Sequence, residues 1–338
     1  MRLCVAITEA HLSSIQVQRS SDEWLNANDK CTQLQWRCIA LPTANGCVLV
    51  TGATGQLGSD VVEVLKHEDA QVIALPHTQL DITDYAAVTV ALERYHPSIV
   101  INCAAFVHVD ECERDLEAAF RVNAFAVWHL AIQCARMHAT LVHISSDYVF
   151  DGEKGIAYRE DDTPNPINVY GLSKLAGECF ARNYCNEHLI VRTSGLYGLH
   201  GSRAKRGNFV EFVINTARDG MPLRIVTDLI SRPTFTMDLA TKLVELLRAN
   251  VRGTVHVTNS GQCSWYEFAC TIIKLMNLEA SIVPITSEQW QRPARRPRYC
   301  VLDNHRLRML GISQLRHWRD ALEEYLRLRA RPKCDADG

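Results

Sequence analysis

The stretch Gly46-Cys-Val-Leu-Val-Thr-Gly-Ala-Thr-Gly-Gln-Leu-Gly58 decides how this chain folds. It contains a short β-branched apolar run, Val48–Val50, followed by three glycines in the spacing G-x-x-G-x-x-G. Beyond the glycines, apolar residues recur at helical spacing, as Val61, Val62 and Leu65. This order predicts a buried strand, a tight turn and a helix.

The three glycines of this turn indicate a dinucleotide site. Gly52 permits a sharp turn, Gly55 lets backbone N–H groups approach a diphosphate, and Gly58 lets the helix lie close to the sheet. The N-terminal end of the helix would then face the phosphates. A flexible surface loop is the alternative interpretation of a glycine triplet, but the flanking strand and helix favour the dinucleotide.

The composition is that of an ordinary globular protein. Its 338 residues, 47% hydrophobic and 22% charged, suffice for one large α/β domain with a smaller lobe. The formal net charge of −2 gives no basic field, so we expect neither a nucleic acid nor a membrane as partner. No apolar run reaches the roughly 18 residues of a transmembrane helix.

Cysteine usage favours a cytoplasmic location. The thirteen cysteines are odd in number and form no C-x-x-C pair, which is not typical of a zinc site or a disulfide framework. Reduced thiols in a cytosol are the simplest explanation. Residues 1–45 lack clean periodicity, and we interpret them as an N-terminal extension, poorly ordered or packed outside, or as the result of a mis-assigned start codon.

The second predicted strand, Gln71–Leu75, ends without an acidic residue. NAD-specific folds place a carboxylate about 20 positions after the glycine turn, where it binds the ribose 2′-hydroxyl. Leu75-Pro76-His77 occupies that place here. The sequence therefore favours NADP(H), with His77 as a neighbour of the 2′-phosphate, and leaves NAD(H) open.

Strands and helices alternate up to about residue 195. The pattern predicts strands at Ser98–Asn102, Thr140–Ile144 and Leu189–Arg192, and helices over Asp84–Tyr95, Asp115–Met137 and from about Asn168. Such alternation predicts right-handed crossovers and a Rossmann fold with a doubly wound parallel sheet. Shorter elements follow, at Phe209–Arg218, Leu223–Val226, Met237–Leu247, Thr254–Val257, a helix capped by Ser264 and Glu267, and Leu315–Leu328.

Tyr170 and Lys174 lie four residues apart on a predicted helix, so they share one face. A cation beside a phenol lowers the pKa of the phenol from about 10, which would let Tyr170 exchange a proton near neutral pH. Ser146, at the end of the fourth strand, can hydrogen-bond the same substrate oxygen. Together they would polarise a carbonyl while a nicotinamide delivers hydride to its carbon. A surface helix pair is the alternative interpretation of Y-x-x-x-K.

Other nucleophiles are less well supported. No serine lies in G-x-S-x-G and no histidines form H-E-x-x-H. Cys103 lies near the predicted cofactor crevice, but a small buried thiol is the favoured role.

A linked set of motifs extends this interpretation to most of the chain. The motifs are Thr51-Gly-Ala-Thr-Gly-Gln-Leu-Gly58, Asp81-Ile-Thr-Asp84, Asn102-Cys-Ala-Ala105, Val122-Asn123, Ser145-Ser-Asp-Tyr-Val-Phe-Asp-Gly152, Asn168-Val-Tyr-Gly-Leu-Ser-Lys174, Arg192-Thr-Ser194, Pro233-Thr234 and Arg296-Pro297. In this order they resemble the dTDP-4-dehydrorhamnose reductase family, in the extended branch of the short-chain dehydrogenase/reductase superfamily. The resemblance covers roughly residues 46–330.

The resemblance implies NAD(P)H reduction of the 4-keto group of dTDP-4-dehydro-β-L-rhamnose, giving dTDP-L-rhamnose. Tyr170 would be the proton donor, Lys174 its partner and a ligand of the nicotinamide ribose, and Ser146 with Asp147 would contact the sugar. The implied cofactor contacts also include Gly52, Thr54, Gly55, Gln56, Leu57, Gly58, Asp81, Ile82, Ala104, Ala105 and Phe106. Asp81 could instead serve only as a turn residue. The resemblance leaves Mg²⁺ and a homodimer open, and we assign no metal ligand.

The resemblance also implies a division into an NAD(P)-binding Rossmann domain over 46–195 and mainly a smaller substrate-binding lobe over 196–330. Some elements of the second part would return to the main sheet, and 331–338 would be a tail. The Arg292–Arg298 cluster, with Arg296 as substrate ligand, would reach the dTDP pyrophosphate through an arginine fork. A solvated loop is the alternative.

Two departures from the family lie on the substrate side. Gly195 stands where many members have a tryptophan, and Asp228-Leu-Ile-Ser-Arg-Pro-Thr234 replaces Asp-Gln-x-Gly-x-Pro-Thr. Trp265 or Tyr197 could replace the lost stacking surface, although core packing is favoured for both. The sequence therefore specifies the sugar less well than the cofactor.

Two further hypotheses stay open. The regulatory β subunit of methionine adenosyltransferase shares the fold, the Ser145–Gly152 run and the Y-x-x-x-K helix, and it would be a cofactor-binding partner protein rather than an enzyme. Gly207-Asn208-Phe209 and the Ser264-Trp265 helix start favour the reductase. An epimerase or dehydratase is the third hypothesis, but a dehydratase would need an acidic pair where this chain has Asp147 and Tyr148.

Overall fold

Short apolar strands alternate with amphipathic helices from residue 48 onward. The computed structural model describes residues 46–200 and 207–331. The strands are β1 Val48–Thr51, β2 Val72–Leu75, β3 Ile99–Asn102, β4 Thr140–Ser146, β5 His188–Thr193, β6 Leu196–Tyr197, β7 Leu223–Val226, β8 Ile230–Ser231, β9 Thr234–Phe235, β10 Gly253–His256, β11 Cys263–Ser264 and β12 Ile282–Ile285. The helices are α1 Gln56–His67, α2 Tyr85–Tyr95, α3 Val109–Arg114, α4 Leu116–Phe120, α5 Ala126–Arg136, α6 Val169–Tyr184, α7 Phe209–Arg218, α8 Thr236–Arg248, α9 Trp265–Leu275, α10 Ser287–Trp290, α11 His305–Met309 and α12 Trp318–Arg329.

Six parallel strands form the main sheet, in the order β10-β5-β4-β3-β1-β2. β1 lies between β2 and β3, so the chain moves to one side of β1 and then crosses to the other. This reversal opens a crevice outside the carboxyl ends of β1 and β3, which is where ligands bind in open α/β sheets. The predicted doubly wound parallel sheet is confirmed.

Successive residues of β1 face opposite sides of this sheet, and each side has its own core. Val48 and Val50 pack into the core shared with α1 and α8, whereas Leu49 packs into the core shared with α2, α5 and α6. Both faces are covered, which explains why the strands read as continuous apolar runs rather than alternating ones.

The smaller lobe is built around aromatic side chains. α7, α9 and α12 enclose a core that contains Tyr197, Phe235, Phe268, Trp318 and Tyr325. Short strand pairs, β7 with β12, β8 with β11 and β6 with β9, border it. The predicted capping box of α9 is confirmed, since the Ser264 and Glu267 side chains exchange bonds with each other's backbone N–H.

The prediction of one continuous helix over Asp115–Met137 is wrong. Instead, α4 and α5 are joined by a π-helical turn, Arg121–Phe125, which contains the buried Asn123. The turn is held by i→i+5 rather than i→i+4 hydrogen bonds, so the α-helical register is interrupted at Asn123.

The predictions for residues 1–45, for the loop segment 201–206 and for the tail beyond Arg331 lie outside the described residues. Within residues 46–200 and 207–331, no helix combines the length and the apolar character needed to cross a membrane.

Candidate active site

The glycine turn brings backbone atoms closer together than any side chain would allow. Gly52 has a φ of +62°, and a Cβ on it would lie 2.8 Å from the backbone nitrogen of Ala104. A Cβ on Gly58 would lie 2.2 Å from the Gly52 carbonyl oxygen. The sequence interpretation of Gly52 and Gly58 therefore agrees with the geometry, since each position admits glycine alone.

The N-terminus of α1 opens toward the crevice without a protein cap. Gly55 is its N-cap, no described side chain caps it by hydrogen bonding, and its first turn holds no acidic residue. Its N–H groups and helix dipole thus suit an anion such as a diphosphate. Gln56 and Leu57 begin the helix, and Leu57 buries its side chain in the core, which leaves its backbone for any ligand contact. Thr54 lies within the turn.

The loops after β2 and β3 border the crevice on its two sides. Asp81 accepts hydrogen bonds from the backbone and side chain of Thr83, at 2.9 and 2.8 Å. Burial acts to raise the pKa of Asp81, but these bonds outweigh it and hold the pKa below its ordinary value. Ile82 is buried, whereas His77 is exposed just beyond β2. Asp81 therefore serves as a turn residue, whatever else it contacts.

On the opposite side, the Ala104–Phe106 loop is fixed by two asparagines. The Ala104 N–H donates to Asn102 Oδ1 at 3.2 Å, and the Phe106 N–H donates to Asn123 Oδ1 at 2.9 Å. Ala105 lies between these two anchors and is partly buried.

Asn123 is a residue whose role sequence reasoning missed. Its Nδ2 donates to the Phe106 carbonyl and to Ser173 Oγ, both at 3.0 Å, so it joins the cofactor-side loop to α6. Ser173 in turn donates to the Tyr170 carbonyl at 2.8 Å. An amide inside an otherwise apolar helix was the available signal, because a buried polar group needs partners.

Ser146, Asp147 and Tyr170 meet at the carboxyl end of β4. Ser146 Oγ donates to Asp147 Oδ1 at 2.9 Å and accepts from the Tyr148 N–H at 3.2 Å. Tyr170 is the second residue of α6, and its ring meets that of Tyr148 edge to face at 5.8 Å. The Asn168 side chain caps α6 by accepting from the Gly171 N–H at 2.8 Å, which fixes where Tyr170 lies.

The expected lowering of the Tyr170 pKa is wrong. Burial raises this pKa well above its ordinary value, a hydrogen bond with Ser146 acts to lower it, and the Asp147 charge raises it further. The prediction failed because it weighed the cation four residues away and not the enclosure of the phenol. Tyr170 therefore stays protonated over the whole physiological pH range, and it can act as an acid.

Lys174 and Asp147 are buried with shifted pKa values. Burial lowers the pKa of Lys174 to about 8, while the charge of Glu178 acts to raise it. Burial raises the pKa of Asp147 to about 6, against hydrogen bonds that include one from Ser146. Perturbed groups in a crevice are typical of functional sites.

Arg296 lies at the edge of this group but is engaged by the protein. Its Nη1 donates to Asp110 Oδ1 at 2.5 Å and to the Ala294 carbonyl at 2.6 Å. Its guanidinium also lies over the Trp290 ring, 5.1 Å from the centroid. The Asn168 Nδ2 donates to the Arg295 carbonyl at 2.8 Å, so this arginine loop is tied to the start of α6.

The substrate-side departures have physical explanations. Gly195 adopts a left-handed φ of +53°, and a Cβ there would lie 3.1 Å from Pro233 Cα, so a tryptophan would be strained. Tyr197 is a core residue of the lobe, stacked on Phe235 at 5.8 Å. Trp265 is only partly buried and packs edge to face on Phe209 at 4.6 Å.

The one cluster of three potential metal ligands among the described residues does not suit the Mg²⁺ that the family resemblance left open. This cluster, Asp60, Glu63 and His200, brings its ligand atoms within 4.8 Å of one another. It includes an imidazole, whereas Mg²⁺ selects oxygen ligands, and Asp60 lies against Thr236 of α8. We therefore assign no chemical step to a metal.

Fold and site together define a Rossmann-type enzyme of the extended short-chain dehydrogenase/reductase class. The family model described as RmlD substrate binding domain matches residues 46–330. The spore coat polysaccharide biosynthesis protein SpsK of Bacillus subtilis (strain 168) is 42% identical over 288 residues, covering 85% of this chain and 99% of that protein. The dTDP-4-dehydrorhamnose reductase of Streptomyces griseus is 41% identical over 283 residues, covering 82% of this chain and 91% of that protein.

Solved structures agree with these relatives. The dTDP-4-dehydrorhamnose reductase of Bacillus anthracis, determined in complex with NADP, superposes with a TM-score of 0.80 at 36% identity, covering 84% of this chain and 99% of that one. The chain belongs to the dTDP-4-dehydrorhamnose reductase family of NAD(P)H-dependent oxidoreductases. The glycine cradle and the uncapped α1 terminus fit the nicotinamide cofactor of this family.

Proposed function

We propose that this protein reduces the 4-keto group of dTDP-4-dehydro-β-L-rhamnose to the alcohol of dTDP-L-rhamnose, with NADPH preferred to NADH. The observation that carries the proposal is the meeting of Ser146, Asp147 and a protonated Tyr170 at the end of β4. This group lies at the same sheet edge as the glycine turn after β1. An acid and a nicotinamide site at one sheet edge are what carbonyl reduction requires.

Tyr170 supplies the proton of the reaction. When bound, the nicotinamide supplies a hydride to the carbonyl carbon. Tyr170 transfers its hydroxyl proton to the carbonyl oxygen, so that the C=O group becomes C–O–H and Tyr170 becomes a phenolate. Ser146 would stabilise the oxygen and the phenolate by hydrogen bonding. The ammonium of Lys174, four residues further along α6, would stabilise the same negative charge.

The remaining predicted contacts complete the proposal. Gly52, Thr54, Gly55, Gln56, Leu57 and Gly58 would hold the diphosphate, while Asp81, Ile82 and Ala104–Phe106 would line the adenosine side. Asp147 would bind the sugar, and Arg296 would bind the nucleotide part while Asp110 orients it. A homodimer, a cytoplasmic location and the absence of nucleic acid or membrane partners stay predictions.

The missing carboxylate at the end of β2 supports the preference for NADPH. His77 is exposed where an acidic residue would otherwise bind the ribose 2′-hydroxyl. A carboxylate there would repel a 2′-phosphate, whereas a histidine does not.

Oxidation of NADPH in the presence of dTDP-4-dehydro-β-L-rhamnose tests the proposal. NADH and a UDP-linked 4-keto sugar serve as comparisons for cofactor and nucleotide. We expect the highest kcat/KM with NADPH and the dTDP sugar. Tight binding of NADPH without its oxidation by any nucleotide-linked 4-keto sugar would contradict the proposal and favour a regulatory, cofactor-binding subunit.

A further inference from the structure

Two adjacent serines at the end of β4 face opposite ways, because side chains alternate along a strand. Ser146 joins the cluster of Asp147 and Tyr170. Ser145 instead donates to Glu178 Oε1 at 2.5 Å. Glu178 lies on α6 four residues after Lys174, and it is fully buried. Ser145 therefore connects β4 to α6, the helix that carries Tyr170 and Lys174.

Glu178 is fixed by a second, stronger partner. Arg192 Nε donates to Glu178 Oε1 at 2.8 Å and Arg192 Nη2 donates to Oε2 at 2.7 Å, a bidentate pair between buried side chains. Arg192 pairs in register with Ser145, so neighbouring strands present both partners to the same carboxylate. The Phe150 ring lies against the Arg192 guanidinium at 5.1 Å. These contacts hold the Glu178 carboxylate in a single orientation.

Apart from Glu178 and the Asp147 carboxylate, whose charge is not among those that shift the pKa of Lys174, three titratable groups near Lys174 carry no charge at neutral pH. Burial raises the pKa of Cys103, in the loop after β3, to about 12. Burial and the charge of Lys174 lower the pKa of His143, on β4, well below its ordinary value. Tyr170 is a protonated phenol. Among the described residues that act on Lys174, Glu178 is therefore the one that brings an opposite charge.

We propose that Glu178 is a positioning residue that keeps Lys174 as an ammonium ion in the active site, and that Arg192 and Ser145 hold Glu178 in place for this task. The i, i+4 spacing on α6 puts the two side chains on one face. The kinetic part of this inference rests on the proposed function, because the charge of Lys174 assists Tyr170 during reduction. The electrostatic part does not, since it concerns a property of the protein without substrate.

The titration of Lys174 tests the inference directly. NMR of protein labelled with ¹³C-lysine reports each lysine pKa, and Lys174→Met assigns the resonance of Lys174. In Glu178→Gln, which keeps the size and removes the charge, we expect the pKa of Lys174 to fall by about 1 unit or more. The basic limb of the pH profile of kcat/KM should move to lower pH by the same amount, because the enzyme with Lys174 as an ammonium ion is the active form.

Arg182→Gln is the matched control. Arg182 also contacts Glu178, with Nη2 3.8 Å from Oε2, but its side chain is 48% exposed. Solvent and salt screen an exposed cation, so its removal should leave both the titration of Lys174 and the basic limb in place. An equal shift in both variants would overturn the inference.

A folded Glu178→Gln protein with an unchanged Lys174 titration would show that the Glu178–Arg192 pair is only structural, and it would overturn the inference. If the single variant does not fold, Glu178→Gln with Arg192→Gln removes both charges and leaves none unpaired. The same fall in the Lys174 pKa is expected there, and its absence contradicts the inference. A lowered pKa in a protein that reduces no 4-keto sugar would instead contradict the proposed function alone.

Discussion

At the residue scale, Tyr170 is poised as an acid because its surroundings disfavour the phenolate. Its enclosure raises the pKa well above the ordinary value, and the nearby Asp147 carboxylate adds to this effect. A reduction consumes a proton at the carbonyl oxygen, so the protonated phenol is the useful ground state. In the proposed reaction, Ser146 and Lys174 act after proton transfer, when they would stabilise the negative charge on the phenol oxygen.

Replacing Tyr170 by phenylalanine should remove the proton donor while leaving the cofactor crevice intact. We expect kcat to fall by a factor on the order of 10² or more. The affinity for NADPH, measured by fluorescence titration, should change little. Tyr197→Phe is the control, because its hydroxyl lies in the core of the smaller lobe. Near-full turnover by Tyr170→Phe would contradict the assignment.

His77→Asp should shift the cofactor preference toward NADH. The new carboxylate would repel a 2′-phosphate and accept a hydrogen bond from a 2′-hydroxyl. We expect the ratio of kcat/KM for NADPH to that for NADH to fall about tenfold or more, which corresponds to about 1.4 kcal/mol. His67→Asp is the control, because it makes the same charge change at the far end of α1 and should leave the ratio unchanged. An unchanged ratio in His77→Asp would show that the 2′-phosphate binds elsewhere.

At the element scale, α1 carries both the anion-binding terminus and a buried acid. Its N-terminal turn faces the crevice, while Asp60, one turn along, is fully buried against α8. Burial raises the pKa of Asp60 to about 6, while the neighbouring Thr236 hydroxyl and the charge of His200 act to lower it. The folded state therefore binds more protons than the unfolded state between about pH 4 and 6, so the contribution of Asp60 to stability falls as pH rises through this window.

Asp60→Asn should consequently stabilise the protein above pH 6 but not near pH 4. A shift of about two pKa units corresponds to roughly 2 to 3 kcal/mol at neutral pH. Urea denaturation at the two pH values measures the difference. Glu63→Gln, an exposed site on the same helix, should change the free energy of unfolding by less than about 0.5 kcal/mol at either pH. The same Asp60→Asn difference at both pH values would contradict the account.

α6 packs so closely against the π-helical turn that Gly177 leaves no room for a side chain. A Cβ on Gly177 would lie 2.3 Å from the Asn123 carbonyl oxygen and 3.1 Å from His143 Nε2. We expect Gly177→Ala to lower the free energy of unfolding by roughly 1 to 3 kcal/mol, and to lower kcat/KM because α6 must move. At Gly155 a Cβ meets no atom within 4 Å but φ is +73°, so Gly155→Ala should cost stability through backbone strain alone and leave kcat/KM unchanged. Wild-type stability in Gly177→Ala would contradict this packing.

The local patterns of the sequence were sufficient for the glycine turn, for the Tyr170–Lys174 pair and for the Ser264 capping box. Each depends on residues within one turn of one another, where strand and helix periodicity fix the geometry. The π-helical turn at Asn123 was not predictable in this way, because its bonds reach Phe106 and Ser173. The sign of the Tyr170 pKa shift likewise depends on enclosure by distant elements.

At the scale of the whole molecule, the parallel sheet followed from the alternation of strands and helices, but the contacts of the smaller lobe did not. β10 lies late in the chain and completes the edge of the main sheet beside β5. Arg296 donates to Asp110, which is 186 residues away in the sequence. The Arg296 guanidinium, which the sequence predicts to bind a pyrophosphate, is therefore already partly engaged by a carboxylate of the protein. Such pairings carry no local signal.

The central claim joins the cofactor crevice, Tyr170 and the sugar in one reaction. Its most direct test is the fate of deuterium when [4,4-²H₂]NADPH and dTDP-4-dehydro-β-L-rhamnose are supplied in ordinary water. The account predicts dTDP-L-rhamnose with one deuterium on C4 of the sugar and with a solvent-derived proton on the C4 oxygen. Turnover that leaves ordinary hydrogen on C4, or no turnover of this substrate, would contradict it.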